Sequence, residues 1–194
     1  GLGAMGYSIV RANDIAKEFK MRGKIVFLGG TMAPYITESM KKYYDSIIIG
    51  PAEKSFPELL HDFESTGRIQ RIYNRPLDNL SGLPVPKYEL FPIKKIRLML
   101  PIQSSRGCPH NCSFCSTSAY YKSHHFVRPV NEVINDIKRV RQLGYRRFFI
   151  LDDNMAGNAK HIEELAMKIM PLKLTWAGQC TINIARNDKL LKLI

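Results

Sequence analysis

The alternation of helix-period and strand-type segments, most of them stopped by glycine, limits the folds open to this chain more than any other feature. Ile9, Ala12, Ala16 and Phe19 recur at helical spacing behind Ser8, which can cap the helix, and Gly23 stops the run near Arg22. Lys24 to Leu28 is a short β-rich run ended by Gly29 and Gly30. Pro34 suits the first turn of a helix to about Tyr43, and Ser46 to Ile49 is a buried-type strand closed by Gly50. Two strands flanking one helix predict a parallel βαβ unit with a right-handed crossover. Ser55 and Glu58 then predict a capping box for a helix that carries Phe56, Leu59, Leu60 and Phe63 on one stripe and stops at Gly67.

From Arg75 to Pro101 the pattern changes. Pro76, Pro84, Pro86, Pro92 and Pro101 forbid a long helix, while Leu80, Tyr88, Leu90 and Phe91 offer anchors for packing on a neighbour. Ile96 to Leu100 reads as a strand. After a cysteine-containing loop the alternation resumes: Val130, Val133, Ile134, Ile137 and Val140 form a helical stripe, and Arg147 to Leu151 a strand. Asn158 can cap the helix of Ile162, Leu165, Ala166 and Ile169, which Pro171 closes; a strand follows within Leu174 to Ile184, and Asp188 to Ile194 begins another helix.

Composition adds boundaries. Hydrophobic residues make up 45% and charged residues 24% of the 194, the balance of a globular chain that can bury a core. The net charge of +12 is spread over the chain rather than gathered in a tail, so it admits nucleic acid, anionic cofactors or acidic proteins as partners without selecting one. No stretch approaches the roughly 18 consecutive apolar residues of a membrane span, and the expected location is the cytoplasm.

Cys108, Cys112 and Cys115 stand as CxxxCxxC behind Arg106 and Gly107, while Cys180 stands apart. Cysteines so placed suit reduced, metal-binding thiols better than a bridged scaffold. Three thiolates from one loop can hold three irons of a four-iron four-sulfur cubane and leave the fourth iron open to substrate or cofactor. Two other readings stand beside it. Cys180 could supply a fourth ligand, although its place in an apolar strand suits a small buried hydrophobe. Zinc could be completed by His110, His124 or His125, although the spacing matches no common zinc pattern.

Arg106-Gly107-Cys108-Pro109 and Asn111-Cys112-Ser113-Phe114-Cys115 resemble the signature loop of the radical S-adenosylmethionine (SAM) enzymes. The resemblance implies Cys108, Cys112 and Cys115 as ligands of a 4Fe-4S cluster, with SAM chelated at the unligated iron and cleaved to a 5′-deoxyadenosyl radical. It implies Phe114 as the aromatic against the adenine. Phe148 to Asn154 resembles the acidic form of the segment that meets the SAM amino group, which makes Asp152, Asp153 and Asn154 candidate SAM contacts; Trp176 to Asn183 resembles the next strand. The first third resembles the later part of the cobalamin-binding domain of one branch of these enzymes, with Ser8, Gly29 and Gly30 as candidate cobalamin contacts. The same glycines could equally serve tight packing of strand and helix.

The fold so implied is α/β: part of a Rossmann-like cobalamin-binding domain over residues 1–74, a proline-rich linker over 75–95, and part of a (β/α)6 radical SAM barrel over 96–194. Nothing before Ser8 corresponds to the family's earlier strands, and the run Leu190, Leu191, Leu193, Ile194 stops inside a helix, so the chain reads as a fragment. The implied activity is radical SAM chemistry leading to cobalamin-dependent methyl transfer onto a small-molecule substrate. The implied partner is an electron donor such as flavodoxin or ferredoxin, with nucleic acid disfavoured. A tRNA methylthiotransferase is the alternative within the family. A zinc-stabilised nucleic-acid-binding module using Arg139, Arg141, Arg146 and Arg147 is the alternative outside it.

Overall fold

The computed structural model describes every residue except Leu77 and residues 91–98, so Phe91, Pro92 and the beginning of the strand expected from Ile96 lie outside the described residues. The chain divides into two units, Gly1–Asp78 and Asn79–Ile194.

The first unit is a four-stranded, wholly parallel sheet in the order β1 (Leu2–Gly3), β2 (Phe27–Gly29), β3 (Ser46–Ile49), β4 (Ile72–Asn74). Helices α1 (Ser8–Met21), α2 (Glu38–Lys41) and α3 (Ala52–Thr66) lie between successive strands. The core uses most of the expected face of α1: Ile9, Ala12 and Ala16 are buried with Ala4, Val26, Leu28, Tyr44 and Ile47, whereas Phe19 at the end of the stripe is exposed. The larger aliphatic side chains among them contribute roughly 1.5–3 kcal/mol each on full burial, so this cluster outweighs any single polar contact in the unit.

Several expectations are corrected here. The βαβ unit is the middle of a larger sheet, because the two-residue β1 precedes Ser8 and β4 follows α3. Both are too short to show a period in sequence. Ser8 is the first residue of α1 rather than its cap; its hydroxyl accepts from Met5 N–H at 2.8 Å and donates to Met5 C=O at 2.7 Å, closing the preceding turn. The helix expected from Pro34 is broken into a 3₁₀ turn, Ala33–Tyr35, and the short α2, because extended backbone at Ile36 turns that side chain into the core. Ser55 and Glu58 form no capping box: α3 starts at Ala52, and the buried Ser55 hydroxyl accepts from Arg75 N–H at 3.1 Å while Glu58 pairs with the Arg75 guanidinium. Of the α3 stripe only Leu59 is buried, against Ile48 and Tyr73.

The second unit contains the parallel sheet β5 (Leu100–Ile102), β8 (Arg147–Ile150), β9 (Thr175–Gly178), in that order. A separate antiparallel pair, β6 (Ser105–Gly107) and β7 (His125–Val127), brackets α4 (Ser116–Tyr121). Helices α5 (Val130–Gln142), α6 (Ala159–Ile169) and α7 (Asp188–Leu193) complete the unit. The expected stripes meet the sheet, with Val133, Ile137, Val140, Ile162 and Leu165 buried against Leu100, Ile102, Phe148 and Ile150. Asn158 caps α6 as its sequence position predicts, accepting from His161 N–H at 3.1 Å. Of the proline tract, Leu80 and Tyr88 are buried and the Tyr88 hydroxyl donates to Pro101 C=O at 2.9 Å, whereas Leu90 is exposed.

A buried ion pair joins three segments of this unit. Arg128 Nη1 donates to Asp136 Oδ2 at 2.7 Å and to Gln103 C=O at 2.9 Å, tying the end of β7 to α5 and to the turn after β5. Among the described residues no helix is long and apolar enough to cross a membrane.

Gly30 separates the two roles open to the glycine pair. At φ +89°, a Cβ on Gly30 would lie 2.6 Å from the Ala4 carbonyl oxygen, whereas a Cβ on Gly29 would meet nothing within 4 Å. Gly30→Ala is expected to cost roughly 2 kcal/mol from left-handed backbone strain and this clash, and Gly29→Ala about 1 kcal/mol or less, as read by denaturant unfolding.

Candidate functional site

The carboxyl end of β8 organises the second unit's site. Asp152, Asp153 and Asn154 follow that strand directly, and each engages a different part of the neighbouring chain. Asp152 is 3% exposed; its carboxylate accepts from Ser104 N–H at 2.8 Å, Ser104 Oγ at 2.5 Å and Ser105 Oγ at 2.7 Å. A buried carboxylate is costly unless its lone pairs are satisfied, and these donors satisfy both oxygens. They also fix the turn between β5 and β6.

Asp153 is exposed and spans the cysteine loop. Its Oδ2 accepts from Gly107 N–H at 2.8 Å, just before Cys108, and its Oδ1 from Thr117 Oγ1 at 3.0 Å, just after Cys115. One carboxylate therefore clamps both stems of the loop. The hairpin sets its width: Gly107 pairs with His125 at φ +80°, and a Cβ there would collide with the His124 carbonyl oxygen.

Asn154 is 1% exposed and bridges two segments. Its Nδ2 donates to Cys108 Sγ at 3.5 Å, and its Oδ1 accepts from Thr181 N–H at 3.3 Å beyond β9.

The three cysteines differ in setting: Cys108 is buried, Cys115 half-buried and Cys112 exposed. Cys112 C=O accepts from Cys115 N–H at 3.0 Å, and Ser118 Oγ donates to His110 C=O at 2.9 Å, so the loop folds back on the start of α4. The Cys115 thiol is held below its ordinary pKa, first by the Ser118 and then by the Thr117 backbone N–H, against an opposing effect of burial. Among the described residues, however, no three His, Cys, Asp or Glu side chains converge as a metal site. The donor set nonetheless fits a thiolate-ligated centre in its chemistry, because three soft sulfur ligands come from one loop and N–H donors already lie against the Cys108 and Cys115 sulfurs. Phe114 stands out from the same loop, 90% exposed.

Two of the three histidines proposed for zinc have other partners. His124 Nδ1 lies 3.1 Å from Tyr121 C=O and its ring stacks on Phe126, while His125 hydrogen-bonds the Asn154 backbone. Cys180 corrects another expectation. It is exposed and lies beyond β9, which ends at Gly178, because the chain leaves the sheet to form the 3₁₀ turn Ile182–Arg186. Gln179 and Asn183 therefore lie outside the strand.

Ser104, Ser105 and His161 escaped the sequence reading. The serines carry no motif, and only tertiary folding brings them to Asp152. His161, buried at the start of α6, hydrogen-bonds the Ser104 backbone and faces Asp152, His125 and Glu164. Burial holds both His125 and His161 below their ordinary value of 6.5, and the Nε2 atoms of both are buried without a partner among the described residues.

In the first unit, Gly29 is the last residue of β2, and Ser8, Gly30 and Gly50 follow carboxyl ends of parallel strands, the edge at which open α/β sheets take ligands.

Residues 102–185 match the family model of the Radical SAM superfamily. Over 190 residues the chain is 26% identical to a bacteriochlorophyllide d C-12(1)-methyltransferase of Chlorobaculum tepidum, covering 94% of this chain and 41% of that protein. It is also 26% identical over 199 residues to a hopanoid C-2 methylase of Rhodopseudomonas palustris, covering 94% of this chain and 36% of the relative. The chain thus spans less than half the length of either relative. In fold it is similar to TsrM, a radical SAM methyltransferase from Kitasatospora setae whose structure has cobalamin and a [4Fe-4S] cluster bound. The TM-score is 0.63 at 16% identity, over 96% of this chain and 40% of that one.

Two outcomes follow from these contacts. Asp153→Ala should release both loop stems, and the Gly107 amide should exchange about tenfold faster or more, since a hydrogen bond to a charged group contributes roughly 1.5–3 kcal/mol. His161 has a lowered folded pKa, so the unfolded chain takes up its proton first and stability falls as pH drops below the ordinary value of 6.5. Thermal unfolding between neutral and mildly acid pH should show that loss, and His161→Gln should reduce it, leaving the part that His125 contributes.

Proposed function

We propose that this chain is the part of a cobalamin-dependent radical SAM methyltransferase that carries the cluster loop and part of the cobalamin-binding domain. The observation that carries this reading is the CxxxCxxC loop clamped at both stems by Asp153 just past the end of a parallel strand, inside the segment that matches the Radical SAM family model. The methyltransferase names of the relatives and the carboxyl-edge glycines of the first unit support the branch. They favour neither the methylthiotransferase nor the zinc-module alternative.

In this reading Cys108, Cys112 and Cys115 hold a 4Fe-4S cluster, which when bound supplies the electron that cleaves SAM to a 5′-deoxyadenosyl radical. The protein's own residues do the positioning. Asp153, exposed beside the loop, has a carboxylate that can also accept from the SAM ammonium, while Asp152 and Asn154 act from behind it. Phe114 offers an open aromatic face to the adenine. The open space beside Gly29 suits a cofactor tail at the sheet edge, with Ser8 and Gly30 flanking it. The substrate class is a small molecule methylated at carbon, and the reductant is a flavodoxin- or ferredoxin-type donor.

Anaerobic reconstitution with iron and sulfide tests the assignment. About four irons and four acid-labile sulfides per chain are expected, with 5′-deoxyadenosine formed from SAM under reduction, and Cys108→Ala should lose the cluster. One zinc per chain without sulfide would overturn it.

A further inference from the structure

We infer that Asn154 is a positioning residue that tunes the sulfur of Cys108 rather than a direct contact to SAM; the inference rests on the proposed function. Its carboxamide has one orientation that satisfies its neighbours. Thr181 N–H can only donate, so Oδ1 must face it, at 3.3 Å. That choice directs Nδ2 at Cys108 Sγ, 3.5 Å away. Backbone contacts on both sides hold the residue still. Met155 N–H donates to Gln179 C=O at 2.9 Å, and Asn154 C=O accepts from Gly157 N–H at 3.0 Å. With 1% of Asn154 and 8% of Cys108 exposed, water does not compete for the sulfur.

An amide donor at a ligand sulfur stabilises the state with more negative charge on that sulfur, and such hydrogen bonds are among the levers that set iron–sulfur potentials. Uptake of one electron from a low-potential reductant places that charge on the cluster and its thiolates. Asn154 therefore favours the reduced form. A role confined to joining β8 to β9 would leave the potential unmoved.

The 194-residue chain can be compared with Asn154→Asp and Asn154→Leu after reconstitution, by redox titration followed by electron paramagnetic resonance. Asn154→Asp keeps an acceptor for Thr181 N–H and removes the donor to sulfur; Asn154→Leu removes both. Iron and sulfide contents should stay equal while the midpoint moves negative in both variants, further in Asn154→Asp. At the unmutated midpoint the reduced-to-oxidised ratio should fall about tenfold, which for one electron is about 59 mV. Equal potentials at equal cluster content would overturn the inference and leave the proposed function standing.

A cluster-free measurement separates the two ideas and does not use the Asn154 variants. In the unreconstituted protein, Cys108→Ser should shift the Asn154 side-chain amide resonance and Cys112→Ser should not. An unmoved resonance sinks the inference. A shifted resonance with no cluster in any reconstituted protein sinks the proposed function, and the redox role with it.

Discussion

The buried carboxylate of Asp152 is the constraint on which the second unit depends. Taken out of water without partners it would cost several kilocalories per mole, and the fold offsets that cost with one backbone and two hydroxyl donors from Ser104 and Ser105. Those donors lie in the turn between β5 and β6, so satisfying Asp152 requires β5 beside β8 and places the start of the hairpin at the strand end. The cysteine loop hangs from that hairpin. Each later feature of the site inherits its position from this contact.

The polar residues behind the loop divide the work between them. Asp153 fixes the distance between the stems, Asn154 reaches the first sulfur, and the backbone of α4 reaches the third. Arg128 and Asp136 tie the far side of the hairpin to α5 through a pair whose separation would leave an uncompensated buried charge. The loop can therefore remain open to a ligand at Cys112 and Phe114 while its base stays closed. That asymmetry suits the proposed site, where one side would meet SAM and the other would exclude water.

In the first unit the glycines at the end of β2 separate into two physical roles. Gly30 permits a close crossing of Ala4 and belongs to the packing of β1 on β2, whereas Gly29 leaves space at the carboxyl edge. A doublet that looks uniform in sequence thus has one member used by the fold and one free for a ligand.

The sequence by itself determined the α/β alternation, the buried stripes of α1, α5 and α6, the Asn158 cap and the cysteine spacing, because each is a local pattern set by helical period, capping chemistry or residue type. It also carried the radical SAM resemblance, since that motif is contiguous. Tertiary structure alone decided the rest. The two-residue β1 exists only through pairing with β2, Ser55 is recruited by Arg75 twenty positions away instead of capping its helix, and Cys180 leaves the sheet because β9 ends at Gly178. Likewise, that Asp152 and Asn154 face inward while Asp153 faces the loop follows from which neighbours each strand end meets. Those neighbours, Ser104, Thr117 and Thr181, are distant in sequence, so the contacts leave no periodic or compositional trace in the chain.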